Sequence, residues 1–352
     1  MSLDQPEFKE LIARFSRLIT TTVILLLLMV GAIFIAVLAA KPSVTEVQLL
    51  PITEVLAPPE RLPLAEAVSE LKDSEIIYGY QLLTQTDQLI GPEVGDADMR
   101  LTGNVLRCTN CHLQGGTQSY GISLVGVDKR FPQYRGREDR IGTLEDRING
   151  CMTRSMNGSS LANDSREMKA MVAYISWLDD YFGSDSNSIS SGLKSIELPD
   201  RAVDLERGKS LFSQQCAVCH QADGQGIASA TTPGSSYVYP PLWGEHSYNN
   251  GAGMNRVITA AQFIKYNMPF GVTHENPVLS DEDAYDIAGY MNSHLRPKKS
   301  ALELDFPDRT KKPMSTPYGP YADSFSEDQH TFGPYPPILE YYKITYGVTK
   351  KN

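Results

Sequence analysis

Cys108-Thr-Asn-Cys111-His112 and Cys216-Ala-Val-Cys219-His220 are the residues whose types and spacing most directly specify chemistry. Two cysteines three positions apart bring both sulfurs under one porphyrin edge, and the adjoining histidine reaches the iron as proximal ligand. Two covalently attached c-type haems (haem c) are therefore expected, the first on Cys108, Cys111 and His112, the second on Cys216, Cys219 and His220. A single Cys-x-x-Cys also suits zinc, but two motifs, each preceded by a glycine-containing helical pattern in a chain built for export, do not.

The fifth cysteine, Cys151, stands 39 residues after His112 without a partner. Outside the cytoplasm an unpaired thiol is open to oxidation and disulfide exchange unless it is buried or bound. A buried inert thiol is one reading. Ligation of the first haem iron, which stabilises the thiolate, is the other. On spacing alone Cys151 stands level with Met152 and Met156 as distal ligand, whereas Met168 and Met171 fall on the apolar face of a helix and read as core. For the second haem, Met268 lies in Asn-Met-Pro-Phe-Gly, 48 residues after His220, and the following proline keeps its backbone extended. Met254, Met291, His246 and His274 are the alternatives. Methionine ligation raises the potential and suits an electron exit.

The elements that must position these residues repeat. Helical patterns over Leu64–Ile90 and Asp204–Gln215, containing Gly79 and Gly208, precede the two motifs. Amphipathic helices Asp164–Leu178 and Ser280–Leu295, with Asp164 and Ser280 as N-caps, follow them. The predicted fold is all-α, with two tandem cytochrome c-like haem domains at residues 64–182 and 201–296, joined by a serine-rich linker at 183–200. Residues 297–352 are rich in proline and aromatics, which argues against disorder and predicts a C-terminal strap over the domains.

Leu18–Ala40 is an unbroken uncharged run, about 34 Å long as a helix. Lys9, Arg14 and Arg17 precede it, so the positive-inside rule leaves residues 1–17 in the cytoplasm and the haem domains in the periplasm. The run exceeds an ordinary signal-peptide core, although Val37-Leu38-Ala39 resembles a cleavage site. It is expected to be a single-pass transmembrane anchor in the inner membrane, embedded in lipid. Residues 41–63 then form an extended proline-containing spacer. A net charge of −10 excludes nucleic acid as partner, and any anion site must be a local basic pocket.

Several segments resemble the dihaem thiosulfate dehydrogenase/tetrathionate reductase family. They are Arg147-Ile-Asn-Gly-Cys151 with Arg154-Ser155-Met156-Asn157-Gly158, Tyr239-Pro-Pro-Leu-Trp-Gly244, Ser247–Met254, Asn267–Gly271 and Phe325–His330. The resemblance implies His112/Cys151 ligation of the first haem and His220/Met268 ligation of the second. It implies that two thiosulfates are coupled into tetrathionate with release of two electrons, or the reverse, in exchange with a membrane or periplasmic redox partner such as a cytochrome c, a quinol-linked complex or a terminal oxidase. In part of the family a lysine directly precedes the ligand methionine; here that residue is Asn267, so no ligand exchange is expected.

Dianions call for arginine forks. Arg147, one helical turn before Cys151, is expected to clamp substrate or else to pair with a haem propionate, and Ser155, one turn after, to donate a hydrogen bond. Arg154 and Arg166 are weaker candidates, and Arg130, Arg135, Arg137 and Arg140 read as a mostly solvated face. Cys151 is further expected to take up sulfane sulfur covalently. The rival readings are a non-catalytic dihaem electron carrier and a SoxA-like cytochrome working with a sulfur-carrying partner.

Overall fold

One glycine in each haem domain lets the first and last helices of that domain touch backbone to backbone. The computed structural model describes residues 5–39, 62–232 and 236–350. They fall into two units, Met1–Arg61 and Leu62–Asn352, and both haem domains lie in the second. In the first domain Ser74–Thr84 is capped by Asp73, whose carboxylate accepts from the Glu75 amide at 2.9 Å, and crosses Arg166–Phe182 at Gly79. A Cβ on Gly79 would lie 2.0 Å from the Ala170 carbonyl oxygen. In the second domain Leu205–Gln215 crosses Asp281–Asn292 at Gly208, where a Cβ would lie 2.1 Å from the Asp286 carbonyl oxygen. Ser280 caps the Asp281–Asn292 helix as expected, and Asp283 completes a capping box with it.

The helix boundaries depart from the sequence reading in three ways. Leu64–Ile90 is three helices, Leu64–Ser69, Ser74–Thr84 and Thr86–Leu89, because Asp73 starts a new helix and Gln85 leaves the helical region. Ser165, not Asp164, caps the later helix, accepting from the Met168 amide at 3.2 Å. The all-α expectation also omits two antiparallel ribbons, Gln133–Arg135 with Arg140–Gly142 and Ile227–Ala228 with Tyr237–Tyr239. Strands of two or three residues are too short to leave an alternating signature.

Each domain has its own core. Leu82, Ile90, Met152, Met168 and Leu178 are fully buried in the first, and Phe212, Ile258, Tyr285, Tyr335 and Tyr342 in the second. The last two come from the tail, which carries the helices Glu327–Phe332 and Pro336–Tyr346 where the sequence suggested no long helical pattern. Buried His330 places Nε2 2.9 Å from the accepting Asp323 carboxylate and Nδ1 2.7 Å from the accepting Met314 carbonyl, with Tyr321 stacked on its ring.

Asparagines tie the two domains together. Asn104 donates to the carbonyls of Ser155 at 2.8 Å and Ser247 at 3.1 Å, and Asn249 donates to the Thr153 carbonyl at 3.0 Å. Gln118, just after the first haem motif, donates to Asn267 at 2.8 Å.

The N-terminal unit, described by itself, contains one helix, Gln5–Ala39, whose Ala13–Ala32 stretch is long and apolar enough to cross a membrane. Ala40 and most of the 41–63 spacer lie outside the described residues.

Candidate active site

Leu144–Met152 is the helix that orients Arg147 and Cys151. Thr143 and Asp146 cap it reciprocally: the Asp146 amide donates to the Thr143 hydroxyl at 3.3 Å, and the Thr143 amide to the Asp146 carboxylate at 2.9 Å. Four residues apart on this helix, the Arg147 Nη1 donates to Cys151 Sγ at 2.8 Å. Helix geometry ends at Met152, so Ser155 sits in the following turn and not on the shared face that the spacing suggested. That turn is held from both domains by Asn104 and Asn249. Gly103 and Gly158 let neighbouring backbone approach it, since a Cβ on either would lie 2.1 Å from a carbonyl oxygen.

Burial pushes the Cys151 thiol up, but the Arg147 charge, the His112 imidazole and the Arg147 hydrogen bond outweigh it and hold the thiol down at about 6. Burial, with a smaller contribution from neighbouring cysteines, pushes Cys108 and Cys111 up, to about 11 and about 12. These surroundings favour the thiolate form of Cys151.

Two adjoining cavities of about 430 and 500 Å³ meet at His112, Arg147 and Cys151. The first has an apolar wall that includes Leu83, Met152, Met156 and Met171, with Cys108 at its edge; the second is polar and includes Cys111 and Ser155. His112 Nδ1 is held by the Ile122 carbonyl at 2.7 Å, which directs Nε2 toward the cavity. An apolar slot flanked by two thiols, an oriented imidazole and a facing thiolate fits a covalently attached haem. In the second domain His220 Nδ1 is held by the Pro240 carbonyl at 2.9 Å, and burial keeps its imidazole below the ordinary range, in the neutral ligand form. Cys216 and Met268 pack against the same core, and Met268 is extended where the Val257–Asn267 helix ends. This set fits a second haem.

The other sequence candidates separate clearly. Met168 is fully buried in the first core, whereas Met171 is buried yet lines the cavity beside Met152 and Met156. In the second domain Met291 is core, His246 is exposed, His274 packs at a tilt against the Tyr120 ring, and Met254 lines the second cavity. Arg166 lies over the Tyr78 ring at 4.2 Å, away from the cavities. Arg154 lines the polar cavity and pairs with Asp305 at 2.6 Å.

The arginine cluster requires a correction. Arg130 and Arg140 are exposed, but the first ribbon turns Arg135 and Arg137 inward, and both line the cavities with side chains only 14% and 17% exposed. Arg137 donates to the Gly251 carbonyl at 2.9 Å and lies 3.6 Å from Asp305. Sequence reasoning also missed Asp305, Arg256 and Gln262. Asp305 comes from the tail, and Arg256 and Gln262 reach the polar cavity from the second domain. No local spacing connects these residues to Cys151.

Two tandem helical domains, each with a Cys-x-x-Cys-His motif and an oriented imidazole, define a dihaem c-type cytochrome, here with an arginine-lined cavity at Cys151. Residues 102–178 match the SoxA/TsdA cytochrome c domain family, and residues 205–295 match the cytochrome c family. The chain is 39% identical over 223 residues to the thiosulfate dehydrogenase of Stutzerimonas stutzeri, covering 63% of this chain and 70% of that protein. It is 43% identical over 199 residues to the thiosulfate dehydrogenase of Allochromatium vinosum, covering 55% of this chain and 71% of the other. The solved thiosulfate dehydrogenase TsdBA of Marichromatium purpuratum superposes with a TM-score of 0.56 at 32% identity, covering 64% of this chain; this chain spans about half of that one, 47%. The chain belongs to the thiosulfate dehydrogenase family, oxidoreductases acting on sulfur compounds, and its cofactors are two c-type haems.

Proposed function

We propose that this chain is a membrane-anchored dihaem enzyme that couples two thiosulfates into tetrathionate, and that Cys151 is its reacting residue. The observation that carries this reading is the Arg147–Cys151 pair at 2.8 Å on the wall of an arginine-lined cavity. A pure electron carrier has no use for a thiolate beside an open anion pocket.

Cys108, Cys111 and His112 would hold the first haem with Cys151 as distal ligand, and Cys216, Cys219 and His220 the second with Met268. When bound, the haems supply two one-electron acceptors, and thiolate against methionine ligation favours flow from the first to the second. Arg147 keeps Cys151 anionic, and its remaining N–H groups face incoming sulfonate. Ser155, whose hydroxyl bonds to no other described residue, donates to the same group. The Cys151 thiolate joins the sulfane sulfur of one thiosulfate, with loss of two electrons, to give a Cys–S–S–sulfonate adduct. The sulfane sulfur of a second thiosulfate then attacks the adduct's outer sulfur, forming tetrathionate and releasing the Cys151 thiolate. Each step is reversible, so the same residues serve tetrathionate reduction.

The tail links Asp305, paired with Arg154, to Tyr342 in the second core, which supports its reading as a strap. The Gln5–Ala39 helix would hold the haem domains on the periplasmic face of the inner membrane, near a fixed redox partner.

Steady-state assays with thiosulfate and an artificial acceptor, and with tetrathionate and a reduced donor, test the activity. The Cys151→Gly variant, checked to retain both haems, should lose at least about 10³-fold in turnover. Near-normal turnover would remove the covalent role, and a wild-type protein inactive in both directions would leave an electron carrier.

A further inference from the structure

Six arginines line the adjoining cavities, Arg130, Arg135, Arg137, Arg147, Arg154 and Arg256, of which the exposed Arg130 donates to the Ser191 hydroxyl at 2.9 Å. Four have partners of opposite charge. Arg135 pairs with Glu138 at 2.9 Å, Arg137 and Arg154 share Asp305, and Arg147 meets Cys151. Among the described residues no carboxylate pairs with Arg256, whose Nε donates only to the Gly253 carbonyl at 3.3 Å. Burial, and then the like charges of Arg137 and Arg147, push its guanidinium down to about 10. It remains a cation at neutral pH, in surroundings that favour an anion beside it.

Arg256 heads the second domain's Val257–Asn267 helix, and Thr259 and Gln262 from its next turns line the same polar cavity. Gln262 is 8% exposed, yet neither it nor Thr259 makes a side-chain hydrogen bond to another described residue. An arginine with no carboxylate partner, an amide and a hydroxyl on one helix, all lining one cavity, are the makings of an oxyanion site.

We propose that Arg256, Thr259 and Gln262 form a second sulfonate subsite, supplied by the second domain, that holds the second thiosulfate while the first is engaged at Arg147 and Cys151. The subsite deepens the thiosulfate reading and rests on it. Two dianions in one cavity repel roughly four times as strongly as two monoanions at the same separation, so each needs its own cation. The subsite adds no bond-making step. One sulfur–sulfur bond forms between the sulfane sulfurs, two electrons leave to the haems, and Arg256 only neutralises and orients.

The test uses the full-length holoprotein with Arg256→Gln, Arg256→Lys and Gln262→Leu. Each is measured for kcat and KM with thiosulfate, for sulfate binding by calorimetry as a non-reacting probe, and for the reduction potential of the first haem. Arg256→Gln should raise KM and weaken sulfate binding by about tenfold or more, with a smaller change in kcat and an unmoved potential. Arg256→Lys, which keeps the charge and controls for folding, should recover part of the loss, and Gln262→Leu should weaken binding less. Unchanged KM and sulfate affinity together with a shifted potential would make Arg256 a haem propionate partner and overturn the proposal. A wild-type protein that binds sulfate through Arg256 but does not turn over thiosulfate would uphold the subsite while removing the thiosulfate reading.

Discussion

Cys108, Cys111 and Cys151 all line the first-domain cavities, and only Cys151 has a cation beside it. Cys108 and Cys111 belong to the haem-attachment motif, whereas the Arg147 cation beside Cys151 holds its thiol down at about 6. Arg147→Gln removes the cation and keeps a hydrogen-bonding group, so both haems should remain while thiosulfate turnover falls by about 10²-fold or more. Steady-state kinetics on variant protein with a normal haem content checks this. The Arg147–Cys151 pair was legible because four residues on a helix bring two side chains together whatever the tertiary fold. Ser155 was half legible: it lies at the cavity, but through a turn fixed by Asn104 and Asn249. Arg256 and Asp305 were not legible, because each meets the site through packing between segments more than a hundred residues from Cys151. Arg135 and Arg137 misled because acidic neighbours in sequence look like solvated charge, although only Arg135 pairs locally, with Glu138.

Helix crossings carry the architecture, and each depends on a missing side chain. Gly79→Ala sets a methyl where the Ala170 carbonyl oxygen is 2.0 Å away, so the two helices must part. A loss of about 2–3 kcal/mol is expected in chemical denaturation, against little change for Gly95→Ala, which has nothing within 4 Å. The second crossing adds a buried charge. Asp286 is fully buried and accepts from Arg201 at 2.8 Å and from the Asp204 amide at 2.9 Å, and it also pairs with Arg207. Burial pushes its carboxyl up, but the Arg201 bond and its other donors outweigh that and hold it below the usual carboxylate range. A depressed carboxylate stabilises the fold above its unfolded value, about 3.9, and that contribution is lost as pH falls through the lower folded value. Asp286→Asn should cost about 2 kcal/mol at neutral pH, since Arg201 and Arg207 are more than a third exposed. Thermal melts should show the gap between wild type and variant closing below about pH 4. Both glycines and the Ser280 cap were readable from sequence, whereas the split of Leu64–Ile90 was not, since apolar periodicity runs through a break that Asp73 makes by capping.

At the scale of the whole molecule, the site belongs to neither haem domain alone. The first supplies Cys151 and Arg147, the second supplies Asn249 and lines the polar cavity with Gln262, and the tail supplies Asp305. The tandem repeat reveals two domains but not that the site lies between them, because a repeat reports what the halves share and the site is built from what they do not. The N-terminal helix is a separate matter, since Met1–Arg61 forms its own unit. An amphipathic helix buries an apolar face inside a fold, whereas Phe15, Leu18, Ile24, Leu27 and Leu28 of the Gln5–Ala39 helix all lie exposed, with no protein surface covering them. Exposed apolar residues all round a helix of this length fit a bilayer, which is the reading proposed above. The full chain expressed in a bacterium should therefore sediment with membranes, resist high salt and require detergent for release. A chain beginning at residue 62 and exported on a foreign leader should be recovered in the periplasm with both haems attached. Intact mass of the native protein checks the point independently. A mass retaining residues 1–39 upholds the anchor, and a mature chain beginning just after Ala39 would make the segment a cleaved leader and the enzyme soluble.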